Sequence, residues 1–327
     1  MQLNYRVKRV RGGVRRAEAD AIQEADISVK HTWGKDFIGA SNEYASRVKV
    51  EERVRLDIRN IKPEIGSEVK ADPAILTSGR IAADLRALLI ERGVLVFRDL
   101  EITSEDQRAF TATLGKLQGN ASDGLQKVTR DTKEAPEYAA HFANTFFWHI
   151  DGHYNQTVPC FGATMRPARL PREGGATEFL NTYAAYDGLA EADKALIDRL
   201  RVVHTRNASN SAAYPNASEA EAAGWRRPPP ATQPLVWAHR NGRKSLILGI
   251  SASHIEGMHP ADSYDLLGRL RQHMTQPKYV YSHEWRMGDL VVWNNTGTMH
   301  RARPFDPGEE RLLLRFTIEG EEAIHAP

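Results

Sequence analysis

A mainly β fold with flanking helices around a double-stranded β-helix (jelly roll) core is what this sequence predicts, and three observations predict it. Short apolar runs of strand length recur with turn residues between them, at 94–97, 235–237, 246–248, 289–293 and 312–317. Many short strands with such punctuation favour a double-layered β architecture. Asn241-Gly242 stands between two of the runs, and Asn-Gly in that setting is the strongest short hairpin signal. A helix, strand, helix succession over 81–115 then supplies elements that buttress a sheet.

The 327 residues suffice for one large domain, and 41% hydrophobic with 26% charged residues is ordinary for a globular chain. Basic residues number 44 against 42 acidic, a net charge of +2 that gives no case for nucleic-acid binding. No apolar run approaches the roughly 18 residues of a membrane span. Arg6, Lys8, Arg9, Arg11, Arg15 and Arg16 interrupt any secretory leader. Cys160 is the single cysteine, so no intrachain disulfide forms, and a reducing cytoplasm is the expected setting. Residues 1–56 read as an N-terminal arm that packs on the domain or on a neighbouring subunit, and 57–327 as one catalytic domain.

Element by element, Ile81, Leu85, Leu88 and Leu89 form a helical stripe that stops at Gly93. Val94-Leu95-Val96-Phe97 follows as a buried strand, and Ser104 with Gln107 reads as a capping box opening a helix that closes near Gly115. The polar stretch 118–143 is expected as an irregular loop and a candidate substrate lid, because loops beyond about 12–15 residues are seldom inert. Residues 146–153 are expected to be extended. Strands are expected at 160–165 and 176–180 around a turn at Gly174-Gly175, a helix over 187–203 burying Leu189, Leu196, Ile197 and Leu200, and a loop over 206–233. A helix over 261–275, stopped by Pro277, precedes closing strands at 279–285, 289–293, 299–303 and 312–317.

The chemistry centres on His149-Ile150-Asp151. On a strand, residues two apart share a face about 6.5–7 Å apart, near enough to converge on one ion. His153 shares that face but lies about 13 Å along from His149 at the strand rise, so a third ligand has to come from elsewhere. His300 is the candidate. Two His and one carboxylate make the facial triad of non-haem Fe(II) oxygenases. A satisfied core histidine and an Asp turn cap remain an alternative for the pair taken alone.

Spacing adds to this. From Asp151, Thr177 follows after 25 intervening residues and His300 after 148, and Arg311 follows His300 after ten more. This pattern resembles the taurine dioxygenase and dichlorophenoxyacetate dioxygenase (TauD/TfdA) family over about 61–320. The motifs Gly174-Gly175-Ala176-Thr177-Glu178-Phe179, Gly288-Asp289-Leu290-Val291-Val292-Trp293 and His300-Arg301-Ala302-Arg303 carry the resemblance.

The resemblance implies an enzyme with Fe(II) on His149, Asp151 and His300, O2 as oxidant, and 2-oxoglutarate as co-substrate held by Thr177 and Arg311. It implies hydroxylation of a C–H bond in a small anionic carboxylate, sulfonate or aryloxyalkanoate-like molecule, with release of succinate and CO2. Arg315 then grips the substrate's anionic group, with Asn144, His153 and Tyr154 as further contacts; a surface ion pair with Glu309 or Glu310 is the alternative for Arg315. Relatives imply a homo-oligomer, dimer or tetramer. The competing readings are a cupin-like metalloenzyme that does not use 2-oxoglutarate, and a non-catalytic metal-binding scaffold. Gly-x-Ser-x-Gly and a phosphate-binding Gly-rich loop are both absent, which disfavours hydrolase and nucleotide chemistry.

Overall fold

The computed structural model describes residues 56–119, 124–152 and 158–327. Apart from Leu56, the expected arm lies outside the described residues, and so do His153 and Tyr154. The described part opens with β1 (Asp57–Asn60) and β2 (Ser67–Lys70), then α1 (Pro73–Thr77), α2 (Ala82–Arg92) and β3 (Val94–Phe97). Gly93, at φ 75°, ends α2 where the stripe predicts. α3 (Ser104–Leu114) also forms as expected, but its capping box sits one residue earlier: Thr103 accepts from the Asp106 amide and the Asp106 carboxylate accepts from the Thr103 amide. Gln107 is buried instead, donating to Thr164 Oγ1 at 3.2 Å and to the Leu314 carbonyl at 3.1 Å.

Three stretches differ from the sequence expectation. The supposed loop 118–143 contains β4 (Gln126–Val128) and α4 (Pro136–Ala139), and a 3-10 turn, Phe142–Phe146, replaces the start of the expected metal strand. After β5 (Gly162–Arg169) and β6 (Thr177–Asn181) comes α5 (Thr182–Asp187), and of the single helix expected over 187–203 only α6 (Glu191–Ile197) forms, the strand β7 (Arg201–His204) taking its end. Gly188, the C-cap of α5, has no room for a side chain, since a Cβ there would fall 1.9 Å from Tyr279 Oη. Leu196, expected inside, is 46% exposed. The loop expected over 206–233 holds α7 (Arg206–Ala213) and α8 (Glu219–Arg226), started by Thr205 and by a Ser218/Glu221 capping box.

The chain continues through β8 (Ala231–Pro234), β9 (Val236–Ala238), β10 (Lys244–Leu246), β11 (Ala252–Ile255), α9 (Pro260–Met274), β12 (Val280–His283), β13 (Leu290–Asn294), β14 (Thr298–Ala302) and β15 (Leu312–Ile318). β9 and β10 pair across the Asn241-Gly242 turn, as predicted. A seven-stranded sheet runs β1-β2-β3-β13-β5-β15-β4, and a three-stranded sheet runs β12-β6-β14.

Strand alternation places the core. Successive side chains point to opposite faces of a sheet. Leu95, Phe97, Leu290 and Val292 therefore meet Leu85, Leu89, Phe110 and Leu114 of α2 and α3 on one face. Val94, Val96, Val291 and Trp293 meet Phe179 of β6 and Tyr281 of β12 on the other. The second of these cores lies between the two sheets, and the functional site opens beside it.

Candidate metal centre and its two cavities

β14 positions His300 by pairing with β6, where His300 faces Phe179. His149 reaches it through a single antiparallel bridge: the His149 amide donates to the His300 carbonyl at 3.1 Å and the reverse bond is 3.0 Å. No regular strand forms over 146–152. The chain turns at Asp151-Gly152 instead, with Gly152 at φ 72°, a conformation that glycine adopts without steric cost. The convergence expected of a strand is achieved all the same. His149 Nε2 lies 3.8 Å from Asp151 Oδ1 and His300 Nε2 lies 3.4 Å from Asp151 Oδ2, and the three groups offer ligand atoms within 4.8 Å of one another.

Asn295, which the sequence reading leaves out, fixes that turn. Its Oδ1 accepts from the Asp151 amide at 2.9 Å, and its Nδ2 donates to the Asp151 carbonyl at 3.0 Å and to the Cys160 carbonyl at 3.1 Å. Clasping both peptide groups of Asp151 sets the direction of its carboxylate. The Asn295 side chain is fully buried, so these bonds do not compete with water.

The electrostatics suit a divalent cation. Burial would raise the Asp151 pKa, but the Arg315 guanidinium at 2.8 Å and the two imidazoles outweigh it and hold the carboxyl below its usual range. Burial pushes His300 down to about 3, so its ring is neutral at pH 7 and has a lone pair to give. His149 Nδ1 sits 2.7 Å from the Phe147 carbonyl. A carbonyl only accepts, so Nδ1 carries the proton of that bond, and Nε2, which faces Asp151, is the nitrogen that a metal would take. Two imidazoles and one carboxylate on one side of a point fit Fe(II) or a similar first-row metal.

A small cavity of about 30 Å³ beside the triad is lined by Tyr138, Thr177, Trp293, Arg311 and Arg315. Arg311, 2% exposed, donates from Nε to the Gly175 carbonyl at 2.9 Å and from Nη2 to Thr177 Oγ1 at 3.2 Å. Gly175 is required here: its φ is +70°, and a Cβ would press on Arg311 Cδ at 3.1 Å. Burial lowers Arg311 to about 10, which leaves it cationic at neutral pH. Neither bonding partner is an anion, so a desolvated positive charge awaits one. Trp285 Nε1 also donates to Thr177 Oγ1, at 3.0 Å. With both lone pairs of that oxygen taken, the Thr177 proton is free to be donated elsewhere.

A second, large cavity of about 950 Å³ opens on His149 and Asp151. Asn144 lines it and donates to Asn210 Oδ1 at 3.1 Å. The stretch expected as a lid contributes Lys127, Glu134 and Tyr138 to its walls, and α7 contributes Arg206 and Asn210. Arg315 lines the small cavity, bonded to Asp151, and its expected alternative partner Glu309 is engaged by Arg172 at 2.6 Å. Beside Asn295, the sequence reading leaves out Trp285 and Tyr138. A tryptophan and a tyrosine among many aromatic residues carry no spacing signal.

A family model described as taurine catabolism dioxygenase TauD, TfdA family matches residues 57–317. The alpha-ketoglutarate-dependent 2,4-dichlorophenoxyacetate dioxygenase of Burkholderia sp. (strain RASC) is 34% identical over 263 residues, which are 75% of this chain and 87% of that protein. The alpha-ketoglutarate-dependent sulfate ester dioxygenase of Pseudomonas putida is 28% identical, over 83% of this chain and 92% of its own. Among solved structures, the crystal structure of AAD-2 in complex with Mn(II) and N-oxalylglycine matches with a TM-score of 0.69 at 31% identity, covering 83% of this chain and 100% of that one.

Proposed function

The chain belongs to the taurine catabolism dioxygenase TauD, TfdA family, and from that premise we propose which of its residues perform the reaction and on what. The protein is an Fe(II)- and 2-oxoglutarate-dependent dioxygenase. His149, Asp151 and His300 hold the iron. Arg311 and Thr177 hold the distal carboxylate of 2-oxoglutarate, the guanidinium as a planar fork and the hydroxyl through its free proton. The large cavity takes the primary substrate.

The observation that carries this reading is the buried Arg311 guanidinium, bonded to no anion among the described residues, beside a triad whose ligand atoms lie within 4.8 Å of one another. Bound Fe(II), with 2-oxoglutarate and O2, supplies oxidation of a substrate C–H bond to an alcohol, coupled to release of succinate and CO2. The chain's own groups orient and exclude. Trp285 holds the Thr177 hydroxyl in register, Asn295 aims Asp151, and Arg315 keeps that carboxylate anionic.

We take the substrate to be a small organic anion. Arg315 puts a guanidinium in the small cavity, and Lys127 and Arg206 offer cations on the wall of the large one, beside Glu134 and Glu137. The similar proteins named for 2,4-dichlorophenoxyacetate and for sulfate esters act on molecules with an anionic group and an organic body. A cavity of about 950 Å³ is at the upper end of what small-molecule sites use, which suits a bulky body. Anaerobic titration of the apoprotein with Fe(II) and 2-oxoglutarate tests the site: a weak visible charge-transfer band forms in wild type and needs far more 2-oxoglutarate in Arg311→Ala. Metal binding without any band would sink the assignment. Succinate release over aryloxyalkanoates, alkyl sulfates and sulfonates then selects the substrate.

The same reading makes the two sheets a double-stranded β-helix core within a 57–327 domain, and the protein a cytoplasmic homo-oligomer with residues 1–56 as an inter-subunit arm. Among the described residues no helix is long and apolar enough to cross a membrane. Light scattering on protein lacking residues 1–56 checks the arm, since an unchanged mass would count against it.

A further inference from the structure

Behind the His149–His300 bridge lies another cavity, of about 610 Å³. Neighbouring residues on an extended pair project to opposite sides. Trp148 and Met299, each one residue before a candidate ligand, accordingly line this cavity, while His149 and His300 line the small one beside Arg311. α7 and Ile250 stand between it and the large cavity: Ile250 lines both, Arg206 and Asn210 face the large one, and Ala208 and Ser211 this one.

Its walls are mainly apolar, with Leu248 and Met274 beside Trp148 and Met299. Arg271, from the last turn of α9, is the only charged side chain among the described residues that line it. One of its nitrogens donates to the Ala252 carbonyl at 3.0 Å, a neutral partner that leaves the charge unmatched. Burial lowers its pKa without removing the charge at neutral pH. An apolar chamber of this size with one partly desolvated cation has the chemistry of an amphipathic-anion site.

We propose that this cavity binds a small amphipathic anion, with a carboxylate or sulfonate head on Arg271 and an apolar body against Trp148 and Met299, at a site separate from the substrate's.

Titration of the full-length protein with 8-anilinonaphthalene-1-sulfonate, followed by its fluorescence, tests the site. Arg271→Gln removes the head-group contact, and Ala208→Trp fills the chamber from α7; circular dichroism checks that each variant folds. Both variants weaken one binding phase about tenfold, and Arg206→Gln, on the large cavity alone, leaves that phase unchanged. The proposal is overturned if the phase survives in both Arg271→Gln and Ala208→Trp, or if it is lost in Arg206→Gln, which would put the probe in the substrate cavity.

Discussion

The co-substrate side of the centre is built from strands, whereas the substrate side is built from short helices and turns, and the two differ in how tightly the sequence specifies them. Thr177 opens β6, His300 sits in β14 two pairs away from it across the ladder, and Arg311 immediately precedes β15. A ladder fixes each side chain to one face and one register position. Around the large cavity, Asn144 comes from a 3-10 turn, Lys127 from the short β4, and Arg206 and Asn210 from α7. Those elements are polar and short, and their positions depend on what they pack against. The proposed chemistry therefore rests on strand register and the proposed recognition on short segments, a division that lets one fold serve different substrates.

Substitutions sharpen or break that contrast. The largest effect is expected from Arg311→Ala: loss of a buried charge-assisted fork raises the 2-oxoglutarate Kd by about 10²–10³-fold, read from the anaerobic charge-transfer titration. Asn295→Ala comes next, since freeing the Asp151 turn weakens metal binding by about 10–100-fold. Mn(II) titration followed by electron paramagnetic resonance measures this without turnover, and an unchanged Mn(II) affinity would remove Asn295 from the list of positioning residues. Trp285→Phe releases the Thr177 hydroxyl and raises the 2-oxoglutarate Kd about five- to tenfold, the worth of one buried hydrogen bond. On the other side, Arg206→Gln raises the substrate KM by a few-fold at most and leaves 2-oxoglutarate affinity alone, as expected of an exposed cation. A change in substrate KM as large as the Arg311→Ala effect on 2-oxoglutarate would break the contrast.

The sequence expectations divide along the same line. Helix α2 with its glycine stop, the β9–β10 hairpin, α9 and the closing strands form where periodicity and turn residues place them. In those segments local preference and tertiary packing agree. Among the failures are β7, which takes the end of the helix expected over 187–203, of which only α6 forms, and α7 and α8, expected as a loop. The first error follows from apolar spacing that fits a helix until Val202 and Val203 join a sheet, which is not local information. The second follows from helices carrying almost no apolar stripe, whose caps at Thr205 and Ser218 were the available signal.

By itself the sequence pointed to the proposed reaction side, His149, Asp151, Thr177, His300 and Arg311, of which Thr177 and His300 lie in paired strands, Arg311 immediately precedes one, and His149 and Asp151 lie on a single bridge and a turn. Tertiary structure alone decided how Asp151 is aimed, by Asn295 from 144 residues away, and how Thr177 is left with a free proton, by Trp285 from 108 residues away. It also decided that Arg315 pairs with Asp151, at 2.8 Å. Hydrogen bonds between distant segments depend on where the chain returns, and a linear pattern contains no distance between residues that only folding brings together.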